Sequence, residues 1–100
     1  MSEFITLTQD EQDDQIVSFY ANQERDKNSL EINIARYQLM LPGLPEGAFK
    51  SRIQSLLSQS QERLVEISAI MAATELQLPA QERLQASLAR LQSKGVLQGV

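Results

Sequence analysis

The residues of this chain that could do chemistry are carboxylates, because its 100 residues include neither cysteine nor histidine. Without these two types the chain cannot form a disulfide, a thiolate zinc site, a cysteine nucleophile or an imidazole base. Its serines also lack the histidine that a catalytic triad requires. A carboxylate or lysine enzyme is the remaining catalytic option, and no motif indicates one. We therefore expect a protein that is not an enzyme and that has no cofactor.

The densest group of carboxylates comprises Asp10, Glu11, Asp13 and Asp14, which could be interpreted as a calcium or magnesium site. A calcium loop needs a glycine-containing turn and ligands at alternate positions, and this segment has neither. The alternative is a solvated helix start, where the helix dipole favours negative charge. We adopt this second interpretation and predict no metal site.

The elements that position these side chains are helices. Thr8 and Glu11 have the spacing of a capping box and predict a helix start. The sequence then lacks glycine and proline until Pro42, which predicts one long helix over 9–41, with a break near Asn28 and Ser29 left open. Two prolines and two glycines in residues 41–47 predict a turn, because these residues stop one helix and start another.

Apolar residues recur at spacings of four and three in the first helix and in a second one over 48–76. This heptad pattern is typical of two helices that pair along a seam, as in a coiled coil. The predicted antiparallel hairpin seam comprises Ile16, Tyr20, Leu30, Ile34, Tyr37, Leu41, Ile53, Leu57, Leu64, Ile67 and Met71.

A third, shorter helix is predicted over 79–94. Pro79 suits the first position of a helix, and Gly95 followed by Val96 suits the end of one in a Schellman motif. Arg83, Arg90 and Lys94 share one stripe of this helix. We predict a contact between Arg83 and Asp13 or Asp14, either within one chain or between copies.

The expected fold class is all-α: a long antiparallel helical hairpin with a shorter third helix. We expect a single helical domain over 1–100. Its parts are an N-terminal arm (1–8), the first helix (9–41), a proline- and glycine-rich turn (42–47), the second helix (48–76), the third helix (79–94) and a tail (95–100).

Apolar residues that lie off the seam predict an interaction surface, because a hairpin helix needs only one apolar stripe. The opposite possibility is a compact three-helix bundle that buries them. Phe4 and Ile5 belong to an arm that either adds to a neighbouring molecule or folds back on its own helix. The predicted interface residues are Ile32, Leu39, Met40, Leu56, Ile70, Phe4 and Ile5.

Nucleic acid is not an expected partner, because the net charge is −4 and the few basic residues are scattered. The sequence offers neither a secretory signal nor an apolar run of the ~20 residues that span a bilayer. No segment combines an apolar face with a basic one. We expect a soluble protein without membrane contact, located in the cytoplasm or within a protein assembly such as a virion.

The functional hypothesis is a structural or assembly subunit that forms homo-oligomers, as a component of a larger bacterial or phage assembly. The alternative is a small adaptor, chaperone or inhibitor that binds a different protein through the same apolar surface.

Overall fold

A computed structural model describes residues 7–97 of the chain. Its helices are α1 (Gln9–Met40), α2 (Ala48–Glu75) and α3 (Gln81–Ser93), and a single 3-10 turn (Leu41–Gly43) follows α1. No strand occurs between residues 7 and 97. Helix α1 packs against both α2 and α3. The predicted fold class, an antiparallel helical hairpin with a shorter third helix, is confirmed.

Helix α1 begins at a complete capping box. The Glu11 N–H donates to Thr8 Oγ1 at 3.1 Å, and the Thr8 N–H donates to Glu11 Oε1 at 3.2 Å. Two amide groups that a helix start leaves unpaired are thereby satisfied. The helix then continues without interruption through 26–30, so the break that the sequence left open does not occur.

The connection between α1 and α2 uses the prolines and glycines that predicted it. Helix α1 ends at Met40, one residue before the predicted end, because Leu41–Gly43 tighten into the 3-10 turn. Leu44 is extended and its N–H donates to Leu41 O at 3.2 Å. Gly47 has a φ of +153°, a conformation that side chains disfavour, and α2 starts at the next residue.

The start of α3 corrects the sequence prediction. Pro79 was expected at the first helical position, but Ala80 is extended (ψ 159°) and the helix starts at Gln81. Pro79 therefore precedes the cap. Helix α2 ends at Glu75, one residue before the predicted end at 76, and α3 ends at Ser93, one residue before 94.

The end of α3 is the predicted Schellman motif. The Val96 N–H donates to Leu91 O at 3.0 Å, and the Gly95 N–H donates to Gln92 O at 3.1 Å. These are the two hydrogen bonds that define the motif. Gly95 takes the left-handed conformation that it requires, with φ +74°.

The contacts divide the chain into two compact units. The first unit comprises the described parts of Met1–Asn22 and Ala73–Val100, and its buried side chains are Asp13, Val17, Thr74, Ser87 and Leu91. Within it, the Tyr20 hydroxyl donates to Glu75 Oε1 at 2.7 Å. The second unit is Gln23–Ala72, and its buried side chains are Ile34, Ile53, Ile67 and Met71.

The predicted seam residues all avoid full exposure. Ile34, Ile53, Ile67 and Met71 are buried, and the other seven are half-buried: Ile16, Tyr20, Leu30, Tyr37, Leu41, Leu57 and Leu64. Val17 lies outside the predicted seam and is buried nonetheless, in the unit where α3 packs on α1.

Candidate functional site

Asp13 and Arg83 form the most specific contact between α1 and α3. Arg83 Nε donates to Asp13 Oδ2 at 2.9 Å, and Arg83 Nη2 donates to Asp13 Oδ1 at 2.7 Å. This is the two-pronged geometry that makes arginine–carboxylate pairs strong and directional. Gln9 Nε2 also donates to Asp13 Oδ1 at 2.9 Å. The predicted contact between Arg83 and Asp13 is confirmed.

Asp14 is the centre of the neighbouring contacts. It accepts hydrogen bonds from Ser87 Oγ at 2.6 Å and from Arg90 Nη2 at 2.8 Å. Lys94 Nζ lies 4.0 Å from Asp14 Oδ2, and Arg90 Nη1 lies 3.7 Å from Asp10 Oδ2. Three acidic residues of α1 therefore lie opposite three basic residues, two of them on α3 and the third, Lys94, directly after it. The negative and positive charges are equal in number.

The burial of Asp13 and Ser87 makes their hydrogen bonds important for the stability of the folded chain. Asp13 is only 2% exposed and Ser87 is fully covered. A buried carboxylate is costly unless it is paired and hydrogen-bonded, and here Asp13 Oδ1 and Oδ2 both accept hydrogen bonds. Removal of Arg83 would leave the buried Asp13 carboxylate without its charged partner, which is more destabilising than the loss of an exposed ion pair.

The pairing keeps both carboxylates ionised. The hydrogen bond from Arg83 lowers the pKa of Asp13, against the upward effect of burial, and Gln9 adds to the lowering. The hydrogen bonds from Arg90 and then from Ser87 lower the pKa of Asp14. A carboxylate held in this way is a poor proton acceptor near neutral pH, so the geometry suits attachment of α3 better than acid–base chemistry.

The solvated helix start that the sequence predicted is therefore only half correct. Asp10 and Glu11 are exposed, but Asp13 is buried and Asp14 is half-buried. The prediction was wrong for these two because burial depends on α3, whose basic residues lie about 70 positions away in the sequence. The basic stripe of Arg83, Arg90 and Lys94 was the sequence feature that could have indicated the burial of these two aspartates. Ser87 carried no such signal and was missed. Among residues 7–97, no cluster of three or more possible metal ligands occurs.

The predicted interface residues differ in exposure. Ile32 is 54% exposed and Leu39 is 82% exposed, and Met40 is exposed to a lesser degree. Leu56 and Ile70 are half-buried. Phe4 and Ile5 lie outside the described residues. Ile32, Ala35 and Leu39, at spacings of three and four, form an exposed line on α1 that we call the α1 stripe.

Other exposed apolar side chains were not in the predicted interface. In the second unit they are Phe49 and Val65, and in the first they are Phe19, Leu76 and Val96. Val65, Ala69 and Ala72 lie on one face of α2 at spacings of four and three and are all exposed. Phe19 lines two shallow grooves of about 420 and 270 Å³, both also lined by Gln15.

Comparison of the chain with protein-family models, with curated proteins and with solved structures finds no match. Within residues 7–97, none of the helices combines the length and the apolar character that crossing a bilayer requires. The fold and its surfaces thus define the class only as an all-α helical hairpin protein.

Proposed function

We propose that this chain is a non-enzymatic structural or assembly subunit that binds further copies of itself, within a larger protein assembly. The observation that carries the proposal is the α1 stripe. It consists of exposed residues in the middle and C-terminal part of a helix whose opposite face, with Ile34, is buried. The helix therefore has two apolar faces, and residues 7–97 cover only one of them.

The spacing of the α1 stripe is suited to pairing with a second helix. Ile32, Ala35 and Leu39 occupy the a, d and a positions of a heptad, which is the pattern of a coiled-coil seam. Burial of a large aliphatic side chain stabilises an association by about 1.5–3 kcal/mol when it is complete. The α1 stripe is short, so a stable pair needs further contacts. The exposed side chains of Phe49 and Val65, in the same unit, could supply them.

The charges beside the α1 stripe favour a second copy as the partner. Glu31 and Arg36, both exposed, fall at the g and e positions that flank the seam. In a parallel pair of helices, the g residue of one copy faces the e residue five positions later in the other. Glu31 would then meet Arg36 of the second copy twice in a symmetric dimer, with opposite charges in each pair.

The test is the molar mass of the purified chain, measured by light scattering at several concentrations. We expect a discrete oligomer of the 11.2 kDa chain. The double substitution Ile32→Asp and Leu39→Asp should dissociate this oligomer. Helical circular dichroism should be retained, because both residues are exposed in the single chain. Gln59→Asp, at an exposed position of α2 outside the α1 stripe, is the control and should leave the oligomer intact.

Persistence of the oligomer in the double variant would show that another surface mediates association. A native chain that stays monomeric at every concentration would contradict self-association. That result would favour the alternative function, an adaptor, chaperone or inhibitor that uses the α1 stripe on a different protein.

A further inference from the structure

Helix α3 is attached to its unit by a line of leucines and by polar contacts to α1. Of its 13 residues only Ser87 and Leu91 are buried. Leu84 and Leu88 are half-buried, and the hydrogen bonds described above join Arg83, Ser87 and Arg90 to two carboxylates of α1. A helix of this length is barely stable alone in water. Helix α3 therefore depends on the surface of α1 against which it packs.

That docking surface is specific. It consists of Asp10, Asp13, Asp14 and Val17 on one side of α1, and it takes three basic residues spaced seven and four apart: Arg83, Arg90 and Lys94. No other stretch of residues 7–97 has basic residues at this spacing. A second copy of the chain carries both the identical surface and the identical helix.

The connection to α3 has the form of a hinge. Leu76–Ala80 separates the end of α2 from the start of α3 and can extend over roughly 17 Å. Its backbone makes two short-range hydrogen bonds to the end of α2, from Gln77 to Thr74 O and from Leu78 to Glu75 O. Leu76, at the first position of the hinge, is 89% exposed.

We propose that α3 is exchanged between two copies, so that α3 of each copy docks on the Asp13–Asp14 surface of the other. This proposal rests on the proposed self-association and assigns it a second, specific contact. Exchange preserves the hydrogen bonds between α3 and α1, because the two docking surfaces are identical, and extension of the hinge breaks only its two short-range hydrogen bonds. Domain swapping therefore has little energetic cost.

The test uses two native lysine–carboxylate pairs and a carbodiimide, which joins a lysine to a carboxylate that it touches. Lys94 and Asp14 lie 4.0 Å apart across the α3 contact. Lys50 and Glu46 lie 2.8 Å apart and are four positions apart in one chain, so they form an internal control. Unlabelled and ¹⁵N-labelled chains are unfolded together, refolded as a mixture, cross-linked and digested, and the joined peptides are weighed by mass spectrometry.

We expect mixed-label Lys94–Asp14 peptides in a fraction that rises toward half with protein concentration, while the Lys50–Glu46 peptides keep a single label. Lys94→Arg retains the charge and should abolish the first cross-link only. A flexible eight-residue insertion between Gln77 and Leu78 should lower the mixed-label fraction severalfold, because a longer hinge favours return of α3 to its own chain.

Single-label Lys94–Asp14 peptides in a chain that light scattering shows to be oligomeric would overturn the exchange of α3 and leave self-association standing. Single-label peptides in a chain that stays monomeric would overturn both.

Discussion

Arg83 donates two hydrogen bonds, of 2.9 and 2.7 Å, to the carboxylate of Asp13, although the two residues are 70 positions apart in the sequence. The carboxylate is buried, whereas the Arg83 side chain is half exposed, at 51%. The arginine therefore covers the aspartate from the solvent side. This contact fixes where α3 lies on α1. It also makes Asp13 buried, whereas Asp10 and Glu11 of the same helix are exposed.

Asp13→Asn is expected to lower the melting temperature by several degrees. The substitution keeps the size of the side chain but removes the negative charge that compensates Arg83, and it places an amide donor toward the guanidinium. Thermal unfolding followed by circular dichroism measures the change. Asp26→Asn, at an exposed position of the same helix, is the matched control. Equal losses in the two variants would mean that the Arg83 contact has no special role in stability.

Acid is expected to destabilise the chain through the same pair of aspartates. Arg83 and Arg90 depress the pKa values of Asp13 and Asp14 in the folded chain, below the value of about 3.9 for a free aspartate. The unfolded chain therefore takes up protons first. The stability that these groups contribute is complete above that value and is lost as the pH falls through the lowered pKa values.

The measurement is the melting temperature between pH 7 and pH 2 for the native chain and for the double variant Asp13→Asn, Asp14→Asn. The native chain should lose stability more steeply below pH 4 than the variant does. The pKa values of both arginines are raised by their aspartate partners, so the stability that the arginines contribute is lost only in strongly alkaline solution, outside the measured pH range. Parallel acid profiles in the two proteins would refute the assignment.

Ile67→Ala should cost about 2–5 kcal/mol of unfolding free energy, the range for truncation of a large aliphatic residue in a core. Ile67 is only 1% exposed in the second unit. Val65→Ala, two positions earlier and 71% exposed, should change stability by about 0.5 kcal/mol or less. Urea unfolding at one low protein concentration compares the two variants, and a similar cost for both would contradict the described packing of α2.

Gly95→Ala should destabilise the chain by about 1–2 kcal/mol, because a residue with a Cβ disfavours the left-handed conformation that the end of α3 requires. No atom lies within 4 Å of the added Cβ, so the expected cost comes from the backbone alone. Gly43→Ala is the control, since that glycine also has open space and its φ is not positive. A neutral Gly95→Ala would mean that α3 ends differently.

Local signals were enough to predict the helices. The Thr8–Glu11 capping box, the prolines and glycines of 41–47 and Gly95 each act through the backbone of a few neighbouring residues, and each lies where the sequence placed it. Pro79 is the exception, because a proline restricts its own φ equally before a helix and at its first position. The extended ψ of Ala80 decided between the two.

The candidate site was less predictable because it depends on contacts between distant parts of the chain. The charge pattern predicted the Arg83 contact but not the burial of Asp13, since the local sequence of Asp10 and Asp13 is equally acidic. The exposure of Ile32 and Leu39 follows from the position of Ile34 on the opposite face. Phe19 and Phe49 are exposed without a signal in the pattern, because a large aromatic residue is more often buried.

The capping box at Thr8 also has a practical consequence. The hydrogen bonds that close the first turn come from Thr8, Glu11 and the Gln12 side chain, whose Nε2 donates to Leu7 O at 3.2 Å. These hydrogen bonds join residues 7–12 only to one another. An affinity tag or a fluorescent fusion joined ahead of this segment would not compete for those groups.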